Sequence, residues 1–232
     1  MLISIASLIV FVNFSIHYKR NAFNQTVTQR EIVQLVHQIF PEPVPYIDRC
    51  SMISSYPKVG LNMTTMGMER YREANVPIMH KILIRQQPVF IIANIVYLDL
   101  SLPRGAKDIF RNYPLLEEDH SILKENFIHH WGLLYVAGKH FNFNSQLRSQ
   151  TFEILIPGTY TLEADGEVSI NGVVYEPGSI VKLKQMTYTI VPQTTPLGVT
   201  LRWGKDLYKP SYEPSTQPVF LGYYLQALKM RY

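Results

Sequence analysis

The sequence predicts a mixed α+β protein in three parts: an N-terminal membrane helix, a three-layer α/β part, and a small antiparallel β-sandwich. Three observations carry this reading. Residues 2–16 hold no charge. Helical and β-branched runs alternate between residues 29 and 96. After residue 140, Pro-Gly, Asp-Gly and Asn-Gly pairs punctuate short alternating runs. The boundaries implied are 1–20 for the membrane helix, 21–139 for the α/β domain and 140–208 for the β-sandwich. Residues 209–232 form a tail that packs back on the domain or lies at the membrane interface.

The N-terminal run, LISIASLIVFVNFSI, is interrupted only by Ser and Asn and is followed at once by His17, Tyr18, Lys19 and Arg20. It covers roughly 24 Å as a helix, short of a ~30 Å hydrocarbon core, and Tyr18 with a snorkelling Lys19 extends it. A signal peptide would carry its positive charge before the apolar run and a small-x-small site after it, and neither occurs. Apolar residues fall on every face, unlike the single stripe of a helix lying against a core. The Lys19/Arg20 flank by itself favours a cytoplasmic soluble part. That preference weakens where upstream helices set the topology.

Composition narrows the function classes. A chain of 232 residues, 47% apolar and 17% charged, is able to bury a sizeable core, and 15 prolines with 12 glycines is ordinary usage. The net charge of +4 is spread without a Lys/Arg run, so nucleic acid is not an expected partner. The single cysteine, Cys50, excludes an intrachain disulfide framework and is expected as a small buried side chain.

Along the chain, Asn21–Thr28 reads as a polar connector and Thr28 as the N-cap of a helix over Gln29–Phe40. There Ile32, Val33, Leu35, Val36 and Ile39 recur at helical spacing, and Pro41 stops the helix. A short strand follows around Tyr46–Asp48. Asp48 at its end is a candidate for chemistry, although turn formation is the commoner role of such a carboxylate. A short helix lies near Glu69–Arg72, and Pro77 opens another over Ile78–Arg85. The run VFIIANIV, Val89–Val96, has the β-branched continuity of a strand covered on both faces. No glycine-rich phosphate loop follows either strand. Residues 101–114 form a loop or partial helix.

The segment Leu115–Lys139 begins with Glu117, Glu118 and Asp119 at a helix start. That helix is expected to end near His130, with Trp131 and Gly132 as the structural seam that turns the chain into a strand over Leu133–Ala137. Downstream, Asn171-Gly172 between VSI and VVY is the strongest hairpin signal in the chain. Tyr160, Tyr175 and Tyr188 are possible sugar contacts, although tyrosines alternating in strands are more often ordinary β residues.

His120, His129, His130 and His140 cluster in or beside this segment, with Glu117 and Asp119 near them. They are the candidate metal ligands of an autonomous metal-dependent hydrolase. The spacing argues against such a site: adjacent His129 and His130 on a helix point about 100° apart, and His120 to His130 spans nearly three turns. No G-x-S-x-G nucleophile elbow occurs.

Several short motifs together resemble a known family. They are Tyr46-x-Asp48, Arg70-Tyr71-Arg72, Gln87-Pro88-Val89-Phe90-Ile91-Ile92-Ala93-Asn94, Leu115-Leu116-Glu117-Glu118-Asp119, Glu125-Asn126-Phe127, and His130-Trp131-Gly132 through Val136-Ala137-Gly138-Lys139. The series resembles the soluble C-terminal region of bacterial polytopic membrane glycosyltransferases of the GT-C class, related to protein mannosyltransferases and aminoarabinose transferases. Pro157-Gly158-x-Tyr160 through Asn171-Gly172 and Pro177-Gly178 to Leu201-Arg202-Trp203 is similar to the sandwich that closes some of those proteins. The resemblance covers most of residues 20–205.

The resemblance implies transfer of a lipid-phosphate-linked sugar on the extracytoplasmic side, with the catalytic acidic residue in a loop between the first transmembrane helices. This chain has one candidate membrane helix and no counterpart of that residue, so no catalytic residue and no cofactor carry over. It corresponds to the last helix and soluble tail of such an enzyme. The expectation is a membrane-anchored, non-catalytic periplasmic domain that belongs to or assists a glycosyltransferase. Its implied partners are the membrane, a polytopic glycosyltransferase subunit, and a glycan or lipid-linked sugar.

Overall fold

The computed structural model describes residues 2–102, 114–144, 146–194 and 197–212. Most of the expected loop at 101–114, and residues 213–232 of the expected tail, lie outside them.

Helix α1 spans Leu2–Ile39, 38 residues without a break. The expected connector at 21–28 and fresh start at Thr28 do not occur. No glycine or proline precedes Pro41, and Asn or Thr in a helix interior costs only tenths of a kcal/mol each, too little to stop propagation. The two ends of α1 differ. Ile32, Leu35, Val36 and Ile39 are buried, whereas Leu8, Val10, Phe11, Val12, Phe14 and Ile16 are exposed. Among the described residues no helix is long and apolar enough to cross a membrane. By length and hydropathy the expected membrane helix over 1–20 is therefore not supported, because the apolar run is short and gives way to His17–Arg20.

A parallel trio follows. Strand β1, Tyr46–Ile47, pairs in parallel with β2, Lys58–Val59, and, on its other edge, with β3, Phe90–Ile92. Between β2 and β3 lie α2, Thr65–Ala74, and α3, Met79–Gln86. Thr64 caps α2 by accepting the Gly67 amide at 3.1 Å. The strand expected to reach Val96 stops at Ile92. The Ala93 amide bonds to Leu133 O, and the chain then turns into a 3-10 turn at Val96–Leu98.

Helix α4, Glu117–Asn126, ends earlier than expected, and Phe127–Trp131 is a strand, β4. The aromatic and β-branched side chains of FIHHW suit a half-buried strand, and pairing with β5, Leu134–Phe143, decides the outcome. Gly132, at φ +54°, makes the tight turn between them.

Helices flank both faces of this sheet because side chains alternate along a strand. Tyr46, Phe90, Ile92, Leu134 and Val136 join α1 in one cluster. Ile47, Ile91, Tyr135 and Ala137 join residues of α2, α3 and α4 in another. The Phe90 ring lies between Phe40 and Tyr46, with centroids 5.0 and 4.9 Å away.

The remaining strands are β6 (Gln150–Glu153), β7 (Gly158–Ala164), β8 (Val168–Ile170), β9 (Val173–Tyr175), β10 (Ile180–Leu183), β11 (Thr187–Pro192) and β12 (Leu197–Trp203). One sheet runs β10-β7-β12-β5-β3-β1-β2, with β4 also paired to β5, and a four-stranded antiparallel sheet runs β6-β11-β8-β9. Asn171 and Gly172 take φ values of +49° and +83° in the β8–β9 hairpin, as their pairing predicts. Phe141, Phe152, Leu162, Ile170, Ile190 and Val199 fill the space between the sheets.

Strand β5 joins the two regions. Its first residues pair with β3 and β4, and Gly138–Phe143 pair with β12. The α/β region therefore passes into the β region within one strand, where β5 changes partners between Ala137 and Gly138.

Candidate functional site

The four candidate histidines are dispersed over three elements. His120 is half-buried on α4, His129 is exposed and His130 buried on β4, and His140 is exposed on β5. His140 bonds through Nδ1 to Thr200 Oγ1 at 2.8 Å and through Nε2 to the Asn142 side chain at 3.2 Å. His129 donates from Nε2 to Gly132 O at 2.9 Å and meets Tyr135 edge-on. Among the described residues no group of three or more His, Cys, Asp or Glu is placed to hold a metal ion. His129 and His130, expected on a helix, lie instead on strand β4, where the first is exposed and the second buried.

His130 is instead part of a polar cluster at the end of β4. Its Nε2 donates to Tyr208 O at 2.9 Å, and Nδ1 faces Arg202 Nη1 at 3.5 Å. Arg202 also bonds His129 O at 3.1 Å and holds Glu163 through two nitrogens. Burial lowers the His130 pKa, and the neighbouring Arg202 and Lys209 charges push the same way. Beside it, buried Trp131 donates its indole N–H to Tyr212 O at 2.9 Å. The seam residue thus packs against α1 and also holds the segment after β12.

A second cluster lies where the parallel strands end, the usual ligand edge of an open α/β sheet. Asp48 follows β1 and is fully buried. Its carboxylate accepts the Ser51 amide at 2.8 Å and the Met52 amide at 2.6 Å. Asn94, just past β3, donates to Asp48 at 3.4 Å and accepts the Arg49 amide at 2.9 Å. This is a carboxylate organising its own turn, and Ser51 at φ +57° is part of that turn. Cys50 is exposed, against expectation. Partial burial of its sulfur and the adjacent Asp48 push the thiol pKa up, which suppresses the nucleophilic thiolate.

A third cluster centres on Asp119, 1% exposed. Its carboxylate accepts the Ile78 amide at 2.9 Å, the Met79 amide at 2.7 Å and the Tyr71 hydroxyl at 2.6 Å. An acidic residue of α4 thereby caps α3 and ties in α2. Tyr71 had no sequence signal as its partner. Asn94 had one, as a polar residue closing a continuous apolar run.

The tyrosines expected as sugar contacts are largely core residues. Tyr160 is 2% exposed and donates to Ile156 O. Tyr188 is buried against Phe152, with centroids 5.7 Å apart, and its hydroxyl accepts the Lys184 amide. Tyr175 is half-buried against the same core. Tyr160 and Tyr188 present no stacking platform because their positions alternate inward on β7 and β11.

The chemistry these clusters support is mainly that of holding backbone in place: carboxylates and rings bind main-chain amides and carbonyls. Comparisons with protein-family models, with curated proteins and with solved structures find no match.

Proposed function

We propose that the chain is a membrane-anchored, non-catalytic extracytoplasmic domain that belongs to or assists a lipid-phosphate-sugar-dependent glycosyltransferase. In this reading residues 1–20 are the membrane helix, followed by a three-layer α/β part and a closing β-sandwich. One observation carries the anchor. Leu8, Val10, Phe11, Val12, Phe14 and Ile16 are exposed around successive turns of a helix whose other end is fixed in the core by Ile32, Leu35, Val36 and Ile39. Adjacent apolar side chains on every face are costly in water, and hydrocarbon is the medium that matches them. Tyr18 and Lys19 suit the interface at the end of the run.

The non-catalytic part rests on how Asp48, Asp119 and His130 are used. Asp48 binds main-chain amides of its own turn, and Asp119 and His130 bind main-chain groups of neighbouring segments. The glycosyltransferase part rests on the motif resemblance.

The test has two arms. The full chain, expressed with α1 intact, should stay in the membrane pellet after alkaline carbonate, and Phe11→Glu with Phe14→Glu should move it to the supernatant. A wild-type chain that is soluble and monodisperse without detergent overturns the anchor. Membranes lacking the chain should also lose sugar transfer from a polyprenyl-phosphate donor and regain it when the chain is restored. Unaltered transfer in its absence overturns the enzymatic association.

A further inference from the structure

Consecutive residues of a regular strand point to opposite faces. His130 and Trp131 break this rule. Both are 3% exposed, and both bond to the segment that follows β12. The cause is a shift in the β4–β5 register between His129 and Trp131, an irregularity of the kind that re-aims side chains.

What they hold is a stretch of main chain. His130 bonds Tyr208 O and Trp131 bonds Tyr212 O, each at 2.9 Å. Between these points Pro210 is buried, and just before them Leu207 packs against the α1 cluster. The rings of Tyr208 and Tyr212 are about half exposed, although Tyr212 meets Trp131 edge-on at 5.6 Å. The grip is therefore on two carbonyls and two apolar side chains. It begins past Thr161, which donates to Gly204 O and accepts the Asp206 amide.

We propose that residues 207–212 are a strap which the His130–Trp131 irregularity holds closed at neutral pH and which acid releases. A carbonyl only accepts, so Nε2 of His130 carries the hydrogen, and Nδ1 is the lone-pair nitrogen that faces Arg202. A second proton has to enter at Nδ1, against the Arg202 guanidinium of β12 and close to Lys209 of the strap itself. Glu163 of β7 is the opposing charge, and Arg202 already pairs with it. On β4 the neighbouring His129 turns outward, its Nε2 on Gly132 O. Burial of His130 is the largest part of the penalty, and the hydrogen bond to Tyr208 O, which favours the charged ring, offsets part of it.

The direction follows from linkage. Arg202 faces Nδ1 in both states. What the strap itself adds is burial, the largest effect, and the Lys209 charge, which lower the His130 pKa and outweigh the hydrogen bond to Tyr208 O, which raises it, so the strapped state binds fewer protons than the released state. Its advantage is complete above the ordinary histidine pKa and is lost as pH falls through the lowered one. Opening grows by up to about tenfold per pH unit inside that window.

The Trp131 indole N–H reports opening directly, since its hydrogen bond ends on the strap. Its exchange with solvent is measured by NMR on the full chain in detergent micelles, between about pH 8 and pH 5, corrected for intrinsic indole exchange. Trp131→Phe assigns the signal against Trp203. The expected result is a steep rise in opening on the acid side, with backbone amides of β5 and β12 still protected. In His130→Gln, whose amide donates to the same carbonyl without titrating, opening should be flat with pH. Should that variant fail to fold, the His130 ring resonances of the unaltered protein supply the second readout, and they should titrate below the free-imidazole range. Indole exchange that ignores pH in the wild type overturns the strap. So does an equal acid response in His130→Gln, loss of β5 and β12 protection in step with the indole, or an ordinary His130 titration.

Discussion

Tyr71 donates its hydroxyl hydrogen to the Asp119 carboxylate at 2.6 Å while accepting the Leu116 amide at 2.8 Å, so one buried ring ties α2 to both the N-cap and the first turn of α4. Tyr71→Phe removes the donor and leaves Leu116 N without its acceptor. The expected loss is about 1.5–3 kcal/mol, the range for hydrogen bonds to charged groups. Asp119→Ala also strips the Ile78 and Met79 amides of their cap and should cost more. A urea-denaturation double-mutant cycle checks both, and additive effects would show that the pair does not act as a unit.

Alkaline pH should weaken the fold through its buried tyrosines. Burial raises the pKa of Tyr46 and Tyr135 to about 12, and Tyr71 and Tyr160 are raised as well. The folded chain keeps these protons where the unfolded chain gives them up. The stabilisation is therefore whole below about pH 10, the free tyrosine value, and declines as pH climbs toward and through about 12. Urea midpoints measured from about pH 8 to pH 11 should fall above pH 10. For Tyr135 the hydrogen bond to Asp99 acts in the same direction as burial, so Tyr135→Phe should blunt part of that fall.

Gly138 sits where β5 changes partners, and a Cβ there would lie 2.6 Å from Leu201 O and 2.7 Å from Ile128 Cδ1. The first contact is backbone held in the β5–β12 ladder. Gly138→Ala should therefore destabilise by about 1–3 kcal/mol or more, since the strand has to shift. Gly172, with nothing within 4 Å of its Cβ position, is the control. Alanine there meets only the positive φ of +83°. Thermal unfolding of the two variants separates steric from conformational cost.

The legible parts of the fold are those where a local rule and the tertiary environment agree. Ile32, Leu35, Val36 and Ile39 announce a helix face, Asn171-Gly172 announces a hairpin, and VFIIANIV announces a strand buried on both sides at Phe90–Ile92. The illegible parts are decided by partners distant in sequence. FIHHW follows a helix without a glycine or proline to stop it, and becomes a strand because β5 pairs with it. The joining of the N-terminal run to Gln29–Phe40 was missed for the opposite reason, since polar residues resemble a connector but nothing in them breaks a helix. At the candidate sites, Asp48 was visible as a strand-end carboxylate. The irregularity that turns His130 and Trp131 toward one strap has no local signature.

Helix α1 should report its two environments through mutation. Leu35 is 4% exposed and packs with Phe90 and Trp131, so Leu35→Ala removes buried methyl groups and should cost about 2–5 kcal/mol. Trp131→Ala, in the same cluster and holding the Tyr212 carbonyl, should cost about 3–5 kcal/mol. Phe11 lies on the same helix but is 68% exposed, so Phe11→Ala should change the unfolding free energy of the body by no more than about 0.5 kcal/mol. Denaturation in micelles, followed by near-ultraviolet signals of the core tryptophans, measures all three. A large loss for Phe11→Ala would mean that the apolar end of α1 folds against the body, and it would remove the observation on which the anchor rests.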